Sequence, residues 1–356
     1  MPVFGYRRRD IEKRTGHLSQ IGGLKAYTLS EGRGAGIRAV DFRTTRGLEF
    51  TVLLDRGMDI SEARYKGMSL CWRSCAGDVA PAYYDARGQE WLRTFFGGLL
   101  TTCGLTQVGA PCTDEGEELG LHGRISCAPA ERVSCSEEWS GDQLELKVSG
   151  MVREARLFGQ HLEMHRTVAA RADGAGLVLR DRIVNAGARR SPAMLLYHIN
   201  TGFPLLDEGA ELVLPTTNVH PWDEESEKEK EDYAHVHAPR SGYQEKVYLH
   251  TMQADARGLV TCALINRRLN GGLGLKLRYR SSELPCFTQW RMLGEREYVT
   301  GLEPGNCVPL GRAAERAAGR LVELEVGQEI TGGFELEVVE GGEALEGLAE
   351  EARLKT

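Results

Sequence analysis

An all-β fold, one large antiparallel β-sandwich with a few short helices, is what this sequence predicts, and three observations predict it. Short segments alternate apolar and polar residues with a period of two, as strands buried on one face do. The 43 glycines among 356 residues recur between those segments, so turn signals fall roughly every 8 to 15 residues, the spacing of a sandwich. Strand–helix–strand alternation is missing, and no Gly-x-Gly-x-x-Gly or Walker motif follows a strand, so nucleotide cofactors have no phosphate cradle.

In chain order the strand candidates are 48–55 (LEFTVLLD), 143–150 (QLELKVSG), 161–170 (HLEMHRTVAA), 176–185 (GLVLRDRIVN), 194–200 (MLLYHIN), 273–280 (LGLKLRYR) and 334–340 (FELEVVE). Each alternates or is rich in β-branched and aromatic residues. The segment 88–100 (GQEWLRTFFGGLL) sets Trp91, Phe95 and Leu99 four residues apart, which predicts one helix packed on a sheet edge. The run 223–232 (DEESEKEKED) is nearly all charged and reads as an exposed loop. The segment after Glu340 reads as a short terminal helix or a frayed end. Nothing in the composition forces a boundary, so residues 1–345 are expected to form a single domain, with 346–356 as a C-terminal tail.

The 44 Lys and Arg against 51 Asp and Glu leave a net charge of −7. The only compact basic run is Arg7-Arg8-Arg9, so nucleic acid is not an expected partner. Hydrophobic residues at 41% and charged residues at 27% fit a globular chain with a large core. No stretch reaches the roughly 18 apolar residues of a membrane span, and the N-terminal residues lack the apolar segment of a signal peptide. No membrane partner and a cytoplasmic location are expected, and a homodimer stays open. The nine cysteines include no Cys-x-x-Cys pair, which predicts reduced, mostly buried thiols rather than a zinc ribbon.

Several residues are candidates for chemistry. His161, Glu163 and His165 share one face of a strand, and a solvent-facing polar stripe is the expected reading, with no metal. His122 and Arg124 follow the Gly- and Pro-rich loop 97–112, a setting in which loops position functional groups. His198 and Asn200 end the apolar strand 194–200 beside Gly202 and Pro204, and Glu303 precedes a Pro-Gly turn. Two imidazoles and one carboxylate are the set that moves protons at a hydroxyl and an ether oxygen near neutral pH.

The segments LLDRGMDI (53–60), FFGGLLTTCG (95–104), LHGR (121–124), LLYHINTGFPLLDEG (195–209) and LEPGN (302–306) resemble the galactose mutarotase-like (aldose 1-epimerase) superfamily. Within it they resemble the DUF4432 branch, over about residues 20–340. The resemblance implies the large antiparallel supersandwich of that superfamily. It also implies an isomerase that interconverts the anomers of a monosaccharide or sugar derivative by acid–base ring opening, without a cofactor. It assigns His198 as general acid at the ring oxygen, Glu303 as general base on the anomeric hydroxyl and His122 as a ligand that orients hydroxyls.

The superfamily's Asn-Arg motif and its mid-chain aspartate have no textual match. Arg56, Arg93 and Arg124 therefore compete for the arginine role, and Asp223 is the candidate aspartate. Trp290, Trp72 and Phe203 are candidates to stack on a pyranose, with Gln289, Asn200 and Arg93 as hydroxyl ligands and the pair His220 and Trp222 beside them. The same arginines, with Arg291, leave an anionic sugar open. Two other readings stand beside the mutarotase: a carbohydrate-binding or sensing protein without catalysis, and a lyase or isomerase for an acidic or keto sugar. A buried glutamate is expected to have its pKa raised toward the working pH.

Overall fold

Each of the seven alternating segments forms a strand in the computed structural model, which describes residues 3–353. An eight-stranded sheet runs in the order Glu211–Val213, Leu259–Asn266, Leu273–Arg280, Glu329–Glu340, Gly176–Asn185, His161–Arg171, Gln143–Ala155, Ala130–Ser140. A six-stranded sheet runs Thr216–Pro221, Lys246–Met252, Cys286–Leu293, Tyr298–Gly305, Met194–Gly202, Thr101–Leu105. A five-stranded sheet is made by the N-terminal strands between Gly23 and Ser69. Every neighbouring pair in these sheets is antiparallel.

The sandwich follows from the alternation. His161–Arg171 buries every second residue, and Leu162, Met164 and Val168 join Leu177, Leu179, Phe334 and Leu336 in the core. The six-stranded sheet faces them with Leu195, Tyr197, Ile199 and Leu302, and Tyr197 meets Phe334 edge-on at 5.1 Å. Each such leucine or phenylalanine contributes about 1.5–3 kcal/mol when fully buried. His161, Glu163 and His165 alternate with this core on the half-buried outer face.

One polar node crosses the core where the three sheets meet. The fully buried Arg166 guanidinium pairs with Asp181 at 2.6 Å and with Asp59 at 2.8 Å. Tyr197 donates its hydroxyl to Asp181 at 2.7 Å, and Asp59 accepts the backbone N–H and hydroxyl of Thr102.

Two local expectations are corrected. The helix expected over 88–100 is a single 3-10 turn, Glu90–Arg93, because Gly97 and Gly98 take φ of +71° and +72° and turn the chain away. The aromatic spacing serves instead to stack Trp91 on Phe95 at 4.5 Å. The acidic run, expected as an exposed loop, carries regular turns: Asp223 caps the short helix Glu224–Glu227 through the Ser226 N–H, and Lys230–Asp232 forms a 3-10 turn.

The segment after Glu340 forms the helix Gly342–Ala352. Its Leu345, Leu348, Ala349 and Ala352 are buried with Val213, Ala263 and Ile265 of the eight-stranded sheet. The boundary drawn at 345 therefore falls inside a packed helix; residues 1–2 and 354–356 lie outside the described residues. All nine cysteines are free, and Cys75 and Cys135 are the exposed ones. Among the described residues no helix is long and apolar enough to cross a membrane.

Candidate functional site

Period-2 alternation splits the strand Met194–Gly202 between two jobs. Leu195, Tyr197 and Ile199 point into the sandwich, while Met194 and Leu196 belong to a second cluster with Trp91, Phe95, Cys103 and Cys307. His198 lies on that second face, and the register Leu196↔Gly305, Ile199↔Leu302 sets it across from Glu303. Glu303 is in turn paired with Thr288, and Gly301 with Trp290. Three adjacent strands therefore place His198, Glu303, Thr288 and Trp290 side by side.

His198 Nε2 lies 3.2 Å from Glu303 Oε1, and both side chains are buried. They line a cavity of about 320 Å³ with Trp91, Phe95, His122, Trp222, Asp223, Glu245 and Trp290 among its walls, a size suited to a small polar ligand. Phe95 lies 5.3 Å and Trp290 5.4 Å from the His198 ring, and Trp91 lies 4.7 Å from the His122 ring. The two imidazoles meet edge-on at 5.8 Å. His122 is held by a backbone at φ +55°, with its N–H donated to the Gly109 carbonyl.

Burial sets the electrostatics. It pushes the Glu303 carboxyl well above the usual carboxylate range, helped by the negative charge of Glu245. It pulls His198 down to about 3, with the neighbouring His122 adding to the effect, and His122 itself down to about 4. Both members of the pair therefore favour their neutral forms. Among the described residues, buried polar atoms that make no hydrogen bond gather here: His122 Nδ1, His198 Nδ1, Thr288 Oγ1 and Glu303 Oε1, the last beside His198 Nε2. Such atoms are costly unless a ligand or water meets them.

Gly301 makes the meeting possible. A Cβ there would lie 2.5 Å from Glu303 Oε1, 3.1 Å from Trp290 Cβ and 3.2 Å from His198 Cε1. Gly301→Ala should therefore displace the Glu303 carboxyl, with a loss of about 10²-fold in kcat/KM and an unchanged circular dichroism spectrum. Wild-type kinetics in that variant would show that the pair tolerates the shift.

The structure brings together His122, His198, Glu303 and Trp290, and adds Trp222 and Asp223 from the weaker candidates. It places the other candidates elsewhere. Arg56 is fully buried and donates to the carbonyls of Ser126, Val79 and Thr94. Arg93 is exposed and paired with Glu90, and Arg124 is exposed outside the cavity wall. Gln289 precedes Trp290 on a strand and so faces the opposite side, where it meets His250 and the Tyr233 carbonyl. Arg291 shares that side, donating to the carbonyls of Asp232 and His235.

Asn200 is buried, with its amide donated to the carbonyls of Gly97 and His198. His220 is exposed on an edge strand beside Asn218, and Phe203 is 65% exposed. Trp72 backs the wall, 6.0 Å from both Phe95 and Trp290.

Residues missed by sequence reasoning are Glu245, Thr288, Trp91 and Phe95. The two aromatics had a signal, their spacing, but it read as helix packing. Glu245 accepts the Trp290 Nε1 proton at 2.9 Å and has no flanking motif. A larger groove of about 400 Å³ lies along the eight-stranded sheet; it holds ion-paired side chains such as Arg278 with Glu335 and no acid–base pair like that of His198 and Glu303.

A family model described as a domain of unknown function (DUF4432) matches residues 34–338. No curated protein matches the chain. Among solved structures, a provisional aldose 1-epimerase from Klebsiella pneumoniae is 20% identical with a TM-score of 0.86, covering 95% of this chain and 94% of that one. A galactose mutarotase-like protein from Clostridium acetobutylicum is 12% identical at TM-score 0.58, over 91% and 100%. A galactose 1-epimerase from Lactobacillus acidophilus is 13% identical at TM-score 0.54, over 90% and 100%. The fold is thus the galactose mutarotase-like sandwich.

Proposed function

This chain belongs to the DUF4432 family, and we propose that it interconverts the anomers of a monosaccharide by acid–base ring opening. The observation that carries the reading is the buried His198–Glu303 pair, 3.2 Å apart in an aromatic-walled cavity. A mere binder has no need of a matched acid and base.

Proton transfer across the pair gives a glutamate carboxylate and an imidazolium. Glu303 then takes the proton of the anomeric hydroxyl while His198 gives its Nε2 proton to the ring oxygen. The C1–O5 bond breaks as the C1=O1 double bond forms. Rotation about C1–C2 followed by the reverse transfers returns the other anomer, and the pair ends with the proton it began with. Trp290, Trp222 and Phe95 supply apolar faces for the pyranose, and His122 with Thr288 supplies hydroxyl partners.

The test is NMR of a panel of aldoses and ketoses with catalytic amounts of the protein. Selective exchange between α and β anomer signals is the expected result; line broadening without exchange would favour a sensing protein, and new product signals another sugar reaction. The pH profile is a second check. Because His198 stays neutral down to about 3, kcat/KM should show no inflection near about pH 6.5, where a solvated imidazole titrates. A clear step there would contradict a neutral His198.

A further inference from the structure

The cavity's charge names the class of sugar it takes, an inference that rests on the reading of this cavity as a sugar site. Among the described residues that line it there is no lysine or arginine; its acidic side chains are Asp223 and Glu245 at the rim and, deeper, Glu303, which favours its neutral form. The arginines that would have met a phosphate, sulfonate or carboxylate are turned to carbonyls, to Glu90 or to solvent. Burial keeps both imidazoles neutral, so they supply no fixed positive charge. An anionic substituent would lose water beside like charges with nothing to offset the cost.

Asp223 and Glu245 stand at the exposed rim on neighbouring strand ends, which the Trp222 N–H ties together by donating to the Val247 carbonyl at 2.9 Å. Among the described residues, neither is ion-paired. Asp223 accepts the Ser226 N–H through Oδ1 and Glu245 accepts Trp290 Nε1 through Oε2, which leaves each carboxylate an oxygen for a ligand. Carboxylates beside indoles attract an ammonium by charge and by π-density. Deeper in the cavity, Thr288 Oγ1 is a buried polar atom without a hydrogen-bond partner among the described residues, a floor ready for a hydroxyl.

We propose that the site selects monosaccharides by charge: it takes an amine-bearing sugar ahead of the neutral parent, with the ammonium between Asp223 and Glu245, and turns away the phosphorylated or carboxylated one. Galactosamine, galactose and galacturonate, with glucosamine, glucose and glucose 6-phosphate as a second series, are titrated into the full chain. Tryptophan fluorescence reads binding and NMR reads anomer exchange. At about pH 6 the amine stays protonated, and it should bind about 5-fold more tightly than the neutral sugar. The acid should bind at least about 10-fold more weakly than the neutral sugar.

Added salt should compress both ratios, and Asp223→Asn combined with Glu245→Gln should bring the amine-to-neutral ratio toward one. An acid that binds as well as the neutral sugar, or a ratio the double substitution leaves unmoved, would overturn the proposal. The charge order without anomer exchange would keep the proposal and sink the mutarotase reading. Exchange with the order reversed would do the opposite, and no binding by any of the six sugars would overturn both.

Discussion

Glu303→Gln is expected to lower anomer exchange by at least about 10²-fold, the typical contribution of one positioned acid–base group, without loss of fold. Glutamine keeps the shape and the hydrogen-bonding capacity of the side chain but holds no transferable proton, so the pair with His198 can no longer pass through its ion-pair form. The same substitution should not destabilise the protein. Burial raises the folded-state pKa of Glu303, so its stabilising contribution is full below the unfolded pKa and is lost as pH rises through the folded value. Gln carries no such dependence.

Thermal melts at rising pH should therefore show Glu303→Gln gaining on the wild type. His198→Asn should lose turnover to a similar extent. His122→Asn should act mainly by raising KM, since its ring lines the cavity on the far side from Glu303's strand. Turnover near the wild-type level in Glu303→Gln would remove the acid–base assignment altogether.

The fold was legible because it rests on alternation that one sequence displays. MLLYHIN and HLEMHRTVAA state their two faces outright, and glycines mark the turns between strands. The His198–Glu303 pair was legible through the family resemblance, and the strand register explains why residues a hundred positions apart meet. The arginine and amide candidates were not legible, since nothing in one sequence separates a guanidinium spent on backbone carbonyls, as with Arg56, from one offered to a ligand. Gln289 and Arg291 went astray for a simpler reason: they flank Trp290 on a strand, so they must point the other way. The 88–100 segment failed because two left-handed glycines outweigh a helical spacing of aromatics.

Arg166→Met is expected to cost about 3–5 kcal/mol of stability, the usual result of removing one partner from a buried ion pair. Methionine fills much of the volume, so the loss reports charge rather than a cavity. With the guanidinium gone, Asp59 and Asp181 remain in a dry core, and Tyr197 keeps only its bond to Asp181. Asp59 already has its pKa raised by burial, with Arg166 the main force holding it down. In the variant that restraint vanishes, so the folded-state pKa rises further, and the ionised form is penalised more heavily at neutral pH than on the acid side.

Urea melts of wild type and variant should therefore differ most near neutral pH and converge on the acid side, as the variant's Asp59 regains its proton in the folded state. A gap independent of pH would show that Arg166 acts by packing alone. Because Tyr197 and Thr102 carry the node into the strands that hold His198, the folded fraction of Arg166→Met should also lose turnover, which links the charge at the meeting of three sheets to the geometry of the cavity.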